Sequence, residues 1–387
     1  MAVAPTRSGS PGLMRSMNER AALSLLIAHG PMTRVRLGEA AGLSAPTTSQ
    51  LVKRLSDVGL VCQAGHTSGS RGPMATIFRA CTESALGVAI HMRLGHAMAR
   101  VVDAADQQYP VVNVKLPSPG KGAPDDLALA IEAACFVAEV QVSDIKSICV
   151  GVPGAVSADG DALRFAEDIP GWPNRSVRTQ LEQSLGIDVT LENDANLAAV
   201  AEARAGNDHG DFVLLWQGEG LAVATMIGSR VHKGSSGGAG EVGYLPVSRE
   251  AASLDGQAFE LQDLAGPAAV IGLVRAYYPG VTNYEDALAA LRESDRRRDL
   301  LAALAPRIAE ALLPVIAIVD PACIVLAGPT GAACGAEGAS LVQAHLHRTT
   351  RWRTPIVSTV VPVEPVLRGA SLTLSESLAE HMLSRVG

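Results

Sequence analysis

Apolar and polar positions at the start of the chain alternate with a helical spacing and predict three short helices. The first ends at Gly30-Pro31, Thr33 caps the second, and Ser44 caps a third that runs to about Val58. The third helix turns an apolar face inward and leaves polar and basic groups that we expect to face outward. These groups are Thr47, Thr48, Ser49, Gln50, Lys53 and Arg54.

A hairpin is predicted to follow the three helices. Its strands are Leu60–Gln63 and Ala75–Arg79, and the loop between them is rich in glycine and carries Arg71. Three helices, a glycine-containing turn and a hairpin are typical of a winged helix-turn-helix, whose third helix enters a major groove. Arg71 would then reach a minor groove. The alternative is a small helical packing module with a hairpin.

From Ala85 onward the pattern changes to short apolar runs alternating with longer helical segments, which predicts an α/β fold in two lobes. The first-lobe predictions are strands at 86–92, 96–103, 111–115, 148–152 and 189–191, with a helix at 125–140. The second-lobe predictions are strands at 212–216, 222–227 and 324–327, with helices near 257–278 and 283–319. The segment Val357–Val363 and a helix Ser371–Leu383 close the chain.

Length and composition limit the classes of protein to which the chain can belong. The chain has 387 residues, enough for two or three domains that each bury a core. Its six cysteines are scattered without a C-x-x-C pair, so we expect neither a disulfide framework nor a structural zinc cluster. No signal peptide or membrane anchor is predicted, and the expected location is the cytoplasm.

The net charge of −7 is the sum of an N-terminal segment with positive charge and a longer remainder with negative charge. Residues 1–79 carry nine Lys and Arg against three Asp and Glu, a net +6, whereas the remainder carries 23 against 36, a net −13. A basic N-terminal segment indicates a polyanionic partner there, although a solvated basic face would look the same.

The strongest candidate for chemistry is the polar turn 192–196, Glu-Asn-Asp-Ala-Asn, which links an apolar strand to an alanine-rich helix. Site residues commonly follow strands in this way in α/β proteins. Asp194 is suited to act as a general base in an enzyme, or to bind a polyhydroxyl ligand in a sensor. Alternatively, Asn193, Asp194 and Asn196 only cap the helix.

Several motifs occur in an order that closely resembles the ROK family, which unites bacterial sugar kinases with sugar-responsive transcription regulators. After the predicted winged helix come Gly151–Val156 (GVPGAV), Gly171–Asn174 (GWPN), Glu192–Asn196 (ENDAN) and Gly240–Gly243 (GEVG). The resemblance implies a two-lobed actin-like, sugar-kinase (ribonuclease H-like) domain. Only the regulators of this family carry a winged helix.

The phosphate-binding motifs of the family kinases are altered in this chain. The Asp-x-Gly-Gly-Thr hairpin corresponds to residues 89–93 (AIHMR), Glu219 stands where the second loop has Thr, and the late Gly-Gly pair corresponds to Ala327-Gly328-Pro329. A carboxylate near the phosphate path repels the phosphates. The resemblance therefore implies that ATP is not bound well and that the chain is not an enzyme.

The residues that the family uses to bind sugar are retained more fully than its phosphate-binding motifs. By resemblance, the groups that hydrogen-bond a sugar effector are Asn174, Asn193, Asp194 and Glu241. Tyr244 takes the position of a family His that contacts sugar and anchors zinc, and by resemblance we expect Tyr244 among the effector-binding groups. Residues 248–259 lack the family's cysteines. We therefore expect no metal and no cofactor.

These expectations combine into one hypothesis: a cytoplasmic, sugar-responsive DNA-binding regulator of carbohydrate metabolism that acts as a repressor. Its partners would be double-stranded operator DNA, a sugar or sugar-phosphate effector and a second copy in a homodimer or dimer of dimers, with no membrane partner. The alternatives are an active sugar kinase with an added DNA-binding domain, or a regulator that no longer binds a sugar. The expected domains are a flexible arm (1–17), a winged helix-turn-helix (18–82), a first lobe (83–205 with 370–387) and a second lobe (206–369).

Overall fold

The computed structural model describes residues 11–67, 74–117, 122–166, 169, 171–206, 210–249 and 251–386. Its first part, here called the N-terminal unit, holds three helices and a three-stranded sheet of order β1-β3-β2. In chain order these elements are α1 (Pro11–His29), β1 (Met32–Thr33), α2 (Arg34–Ala41), α3 (Ala45–Asp57), β2 (Val61–His66) and β3 (Thr76–Ala80).

The helix boundaries of the N-terminal unit follow local hydrogen bonding. Thr33 Oγ1 accepts a bond from the Arg36 amide at 3.3 Å, and Ser44 Oγ accepts one from the Thr47 amide at 3.4 Å. Both predicted N-caps are confirmed. Helix α1 begins at Pro11, so the expectation that residues up to 17 form a flexible arm is wrong for 11–17; residues 1–10 lie outside the described part.

The first lobe is built on a five-stranded sheet of order β10-β7-β4-β5-β6. Strands β4, β5 and β6 form an antiparallel meander, and β7 lies parallel to both β4 and β10. The lobe's elements are β4 (Leu86–Arg93), β5 (His96–Asp103), β6 (Val112–Lys115), α4 (Ala123–Ala138), β7 (Ile145–Val152), β8 (Ala155–Val156), β9 (Leu163–Arg164), α5 (Val177–Leu185), β10 (Asp188–Asn193) and α6 (Asp194–Arg204).

The second lobe repeats this topology. Its sheet has the order β13-β12-β11-β14-β15, with an antiparallel meander followed by two strands added in parallel. The elements are β11 (Phe212–Gln217), β12 (Leu221–Ile227), β13 (Arg230–Val231), α7 (Leu261–Ala265), α8 (Pro267–Tyr277), α9 (Tyr284–Glu293), α10 (Arg297–Val319), β14 (Cys323–Ala327), α11 (Gly328–Thr349) and β15 (Ile356–Ser358). The expected two-lobed α/β architecture is confirmed.

The last helix, α12 (Pro365–Ser384), returns the chain to the first lobe and packs against α6 and β4. The two helices approach so closely that a Cβ atom built on Gly369 would lie 1.9 Å from the Leu197 carbonyl oxygen. Only glycine permits this approach, which buries Val366 and Ala370 in the core that α12 shares with the N-terminal unit.

Several element boundaries differ from the predictions. The helices expected near 257–278 and 283–319 are four helices, α7 to α10, because Gly266 and Ser294 adopt extended backbone angles. Helix α11 was not predicted. The segment expected to extend to Val363 is a strand only over β15, and α12 begins at Pro365 rather than Ser371, so the predicted boundary at 370 falls inside a helix.

Within the described residues, α10 is the one helix long and apolar enough to cross a membrane. Its inner face contributes Leu300, Leu304, Ile308 and Leu312 to the core of the second lobe, and 44% of its most apolar window is buried. A core helix explains this apolar stretch without a membrane.

Candidate functional site

The turn from β10 into α6 is held by its own side chains. Asn193 caps α6: its Oδ1 accepts a bond from the Asn196 amide at 3.1 Å, and its Nδ2 donates to the Gly154 carbonyl at 2.9 Å. Glu192 Oε1 accepts a bond from Asn196 Nδ2 at 2.9 Å. The capping role considered for Asn193 is therefore present, and this side chain is already engaged in the fold.

Asp194 is positioned by this turn at the first helical residue of α6 and is only 8% exposed. Burial raises the pKa of its carboxyl to about 7, and the charges of Glu219 and Glu241 act in the same direction. The hydrogen bond that its Oδ1 accepts from the Ala195 amide, at 2.7 Å, opposes the rise. Near neutral pH the group is thus balanced between a hydrogen-bond donor and an acceptor.

Two ion pairs connect the lobes across the cleft beside Asp194. Arg93 at the end of β4 donates through Nε to Glu219 Oε1, in the turn between β11 and β12, at 2.9 Å. Lys233, after β13, pairs with Glu192. Both side chains of the Arg93 pair are about three-quarters buried, at 27% and 25% exposed, so solvent screens this pair less than a surface pair.

Close packing also brings the lobes together at their outer edge. The rings of Phe165 in the first lobe and Tyr244 in the second have centroids 4.8 Å apart. A Cβ on Gly237 would lie 1.9 Å from the Val156 carbonyl oxygen, so the glycine-rich loop of the second lobe touches first-lobe backbone. The two lobes are therefore in direct contact at these positions.

A cavity of about 210 Å³ lies in the cleft, next to the end of β4 and the turn from β14 into α11. Its walls include Asp194, both members of the Arg93–Glu219 pair and Glu285 and Arg292 from α9. Ligand pockets for small molecules commonly reach roughly 300 Å³ or more, so this cavity is small for a ligand site.

The effector residues expected from sequence are only partly brought together. Asn193 and Asp194 lie side by side, and Glu241 is near enough for its charge to act on Asp194. Asn174 is exposed, and Tyr244 is 46% exposed with its ring against Phe165. The cavity wall includes Asp194 but not the other four.

The expected DNA-contacting face of α3 is narrower than predicted. Ser49, Gln50 and Lys53 are exposed, and Thr47 is half-buried with its hydroxyl 2.8 Å from Ser44 Oγ. Thr48 contradicts the prediction, since it is 1% exposed. It packs over α2, and its hydroxyl donates to the Ser44 carbonyl at 3.0 Å.

Of the two arginines expected to contact DNA, the structure describes Arg54 but not Arg71. Arg54 donates through Nε to Glu19 of α1 at 2.5 Å, so its charge is offset within the N-terminal unit. Arg71 lies outside the described residues, and its role stays a prediction.

The cleft residues that sequence reasoning missed include Phe165, Lys233, Glu285 and Arg292. Glu285 and Arg292 lie on α9, which reads as an ordinary amphipathic helix. Lys233 directly precedes the glycine-rich loop at 234–240, the only local signal that was available. The partners of these residues are distant in sequence, and periodicity carries no information about such contacts.

Comparison with known proteins gives a family and a set of relatives. The family model described as ROK family matches residues 88–349. The putative xylose repressor of Caldicellulosiruptor sp. is 23% identical over 277 residues, which are 69% of this chain and 68% of that protein. The xylose repressor of Bacillus subtilis is 22% identical over 60% of this chain and 61% of its own length, so the match leaves over a third of it unaligned. The glucokinase of Streptomyces coelicolor is 28% identical over 41% of this chain and 50% of its own.

Solved structures agree on the fold. A ROK family transcriptional regulator, described as a homologue of the E. coli MLC protein, superposes with a TM-score of 0.68 at 17% identity, covering 96% of this chain and 99% of its own. A ROK family glucokinase from Streptomyces griseus, in complex with glucose and AMPPNP, gives a TM-score of 0.62 at 22% identity, covering 74% of this chain and 98% of its own. The regulator's likeness extends over the N-terminal unit, whereas the kinase's covers a share of the chain close to that of the two lobes.

Proposed function

Because the chain belongs to the ROK family, we propose that it is a sugar-responsive, DNA-binding transcriptional regulator that acts as a repressor of carbohydrate genes. The N-terminal unit serves as a winged helix-turn-helix, and the interlobe cleft senses the effector. The names of the xylose repressors and of the similar regulator support this function.

The observation that carries the proposal is the path of α12 from the cleft to the N-terminal unit. Its first residue, Pro365, lines the cleft cavity together with Glu364. Near its other end, the Leu383 carbonyl accepts a bond from Arg20 Nη1 of α1 at 2.9 Å, and Arg385 just beyond it reaches the Val58 carbonyl at 3.4 Å.

A helix of this length spans about 30 Å and is stiff. An effector that changes the lobe closure therefore changes the position of the N-terminal unit through α12. The effector does so only through different affinities for the DNA-competent and DNA-incompetent states.

The phosphate side of the cleft supports a sensor over a kinase. Residues 89–93 run as a regular strand whose side chains replace the hairpin glycines of the kinases, and the Arg93–Glu219 pair crosses the cleft there. Phosphoryl transfer depends on positioning and on stabilising phosphate charge. Glu219 opposes that stabilisation, so ATP is not a cofactor and Asp194 recognises a hydroxyl group instead of activating it.

The proposed partners are operator DNA and a second copy of the chain. Two copies place their α3 helices in successive major grooves of a palindromic operator, with Ser49, Gln50 and Lys53 toward the bases and phosphates and Arg71 in the minor groove. The assembly is a homodimer or a dimer of dimers in the cytoplasm. The family zinc site is not retained in the second lobe, since Tyr244 replaces its His.

A gel shift on the DNA upstream of the protein's own gene tests DNA binding and effector together. Gln50→Ala, Lys53→Ala and Arg71→Ala should each weaken DNA binding. A variant that removes a phosphate contact should also reduce the salt dependence of that binding. Lys146→Ala, an exposed lysine on β7, is the matched control. A panel of neutral sugars and sugar phosphates should include one that releases the DNA. Unchanged affinity in all three variants would refute the assigned DNA-binding face.

An active sugar kinase is the competing function, favoured by the intact turn at Asp194. An ATP hydrolysis assay with a hexose panel separates the two, with Asp194→Asn as the control. Sugar-dependent turnover well above that control would overturn the sensor.

A regulator that has lost sugar sensing is the third candidate, favoured by the packing of Tyr244 on Phe165. Calorimetry with neutral sugars, amino sugars and their phosphates tests it. Absence of binding across the panel, with DNA binding intact, would establish this candidate.

A further inference from the structure

Three metal-ligating side chains converge at the base of the β2–β3 hairpin, away from the interlobe cleft. Cys62 Sγ, Cys81 Sγ and a carboxylate oxygen of Glu83 all lie within 4.8 Å of one another. Cys62 lies on β2, Cys81 directly follows β3, and Glu83 lies in the 3-10 turn Thr82–Ser84. No other group of three such side chains meets the same distance in the described part of the chain.

Strand pairing fixes this arrangement. Cys62 faces Arg79 across the antiparallel β2–β3 pair, and the Cys81 amide donates to the Leu60 carbonyl at 3.0 Å. One thiol thus lies on β2 and the other directly after β3, at the end of a ladder that also carries the core residue Phe78. The cluster does not depend on the loop at 68–73.

Contrary to the expectation from cysteine spacing that the chain binds no metal, we propose that Cys62, Cys81 and Glu83 bind one zinc ion, with water as the fourth ligand. Zinc favours tetrahedral sets of thiolates, imidazoles and carboxylates, with Zn–S distances of about 2.3 Å, which separate two bound sulfurs by roughly 3.8 Å. The three ligand atoms need to close by about 1 Å at most to reach that geometry. Glu83 is 54% exposed and Cys62 is half-buried, so one side of the site is open to water.

The charges around the cluster fit a bound ion. Two thiolates and one carboxylate around Zn²⁺ leave one net negative charge, and Arg79 already donates to both oxygens of Glu83, at 2.6 and 2.7 Å. When one oxygen turns to the metal, Arg79 keeps the other and offsets the excess charge, as outer partners of metal ligands commonly do. Asp103 and Tyr109 line the adjoining cavity of about 500 Å³.

Zinc binds cysteine as the thiolate, so zinc binding at this cluster releases the protons of the Cys62 and Cys81 thiols.

The site joins three segments: β2, β3 and the turn that leads into β4 of the first lobe. A bound ion would fix the hairpin relative to that lobe, and so the orientation of the N-terminal unit. This consequence for DNA binding rests on the proposed function, whereas zinc binding itself does not.

Cobalt titration of the full-length, chelator-treated chain tests the site directly. Co²⁺ bound by thiolates gives a charge-transfer band in the near ultraviolet, which should saturate at one equivalent and vanish on addition of zinc. Cys62→Ser and Cys81→Ser should each abolish or strongly reduce the band. Cys135→Ala, which removes a buried first-lobe thiol, should leave it unchanged.

Glu83→Gln and Arg79→Gln keep both thiols and test the site where a cysteine variant unfolds. Each should weaken cobalt binding by about tenfold or more while leaving a thiolate band. Absence of a band in the wild-type chain would overturn the proposal, as would a band of equal strength in both serine variants. Air oxidation to a Cys62–Cys81 disulfide in the presence of equimolar zinc would also overturn it, in favour of a redox pair.

A gel shift with and without zinc separates the two claims. Loss of the zinc effect in Cys62→Ser, with sugar response retained, would support the consequence for DNA binding. Equal DNA affinity with and without zinc would refute that consequence alone, because the cobalt titration reports on the site independently.

Discussion

Replacing Asp194 by Asn should stabilise the protein, and the gain should grow with pH. The carboxyl is buried and its pKa is raised from 3.8 to about 7, so the folded state resists ionisation that the unfolded chain permits. Asn keeps the shape and can still accept the bond from the Ala195 amide. The substitution removes only the cost of the buried charge.

The direction of this pH dependence follows from the pKa of the Asp194 carboxyl in the unfolded chain and in the folded protein. Below pH 3.8 the carboxyl is protonated in both states and carries no cost; between 3.8 and about 7 the unfolded state alone ionises, so stability falls as pH rises. Above pH 7 the full cost is present. At 1.36 kcal/mol for each pKa unit, the gain from Asp194→Asn is about 1.6 kcal/mol near pH 5 and about 4 kcal/mol near pH 8.

Urea unfolding followed by circular dichroism at both pH values measures this gain. The matched control is Asp188→Asn, an exposed carboxylate at the start of β10, the strand that leads into α6, which should change the free energy of unfolding by less than about 0.5 kcal/mol at either pH. If Asp194→Asn gives the same gain at both pH values, or destabilises the protein at pH 8, the carboxyl is not held protonated by burial.

Four further outcomes follow from the same structure. Effector affinity, measured by calorimetry, should rise as pH increases through 7, because an ionised Asp194 accepts hydrogen bonds from sugar hydroxyls more strongly. Glu219→Gln removes one charge that raises this pKa, so in its background the gain from Asp194→Asn at pH 8 should shrink, which a double-mutant cycle measures. Gly369→Ala should lower the free energy of unfolding by about 1–3 kcal/mol, since its Cβ would meet the Leu197 carbonyl, and thermal melting should show it. Thr48→Val should leave operator affinity in a gel shift unchanged, because the side chain is buried.

Local patterns were sufficient for the elements that have clear caps and a regular spacing. Thr33 and Ser44 cap their helices as predicted, and the strand predicted at 96–103 is β5. Helix α11 escaped prediction because Pro329 and several glycines lower the helix propensity of its first half, while packing against α9 and α10 holds it in place. Tertiary contacts decided that segment.

In the candidate site, too, local sequence patterns predicted some residues and tertiary contacts decided the others. The turn at 192–196 was found because a polar run between a strand and a helix is visible in the sequence. Thr48 was misassigned because, on a short helix, the boundary between buried and exposed faces depends on what packs over it, and α2 covers that position. Lys233 was missed because its partner, Glu192, belongs to the other lobe.

Arg93 and Glu219 illustrate how a pair can explain two substitutions that look unfavourable separately. Judged alone, Glu219 repels phosphate and Arg93 attracts an anion, so the two departures from the kinase pattern conflict. The structure joins them in one ion pair, 2.9 Å long and about three-quarters buried, that links the lobes where the family's kinases have their phosphate-binding motifs. Removing either partner leaves the other charge in the cleft, which is costly when the pair is shielded from solvent. Under the proposed sensor function, the same two residues account for the absence of nucleotide binding and for a contact between the lobes, so the contact between the lobes does not require a nucleotide.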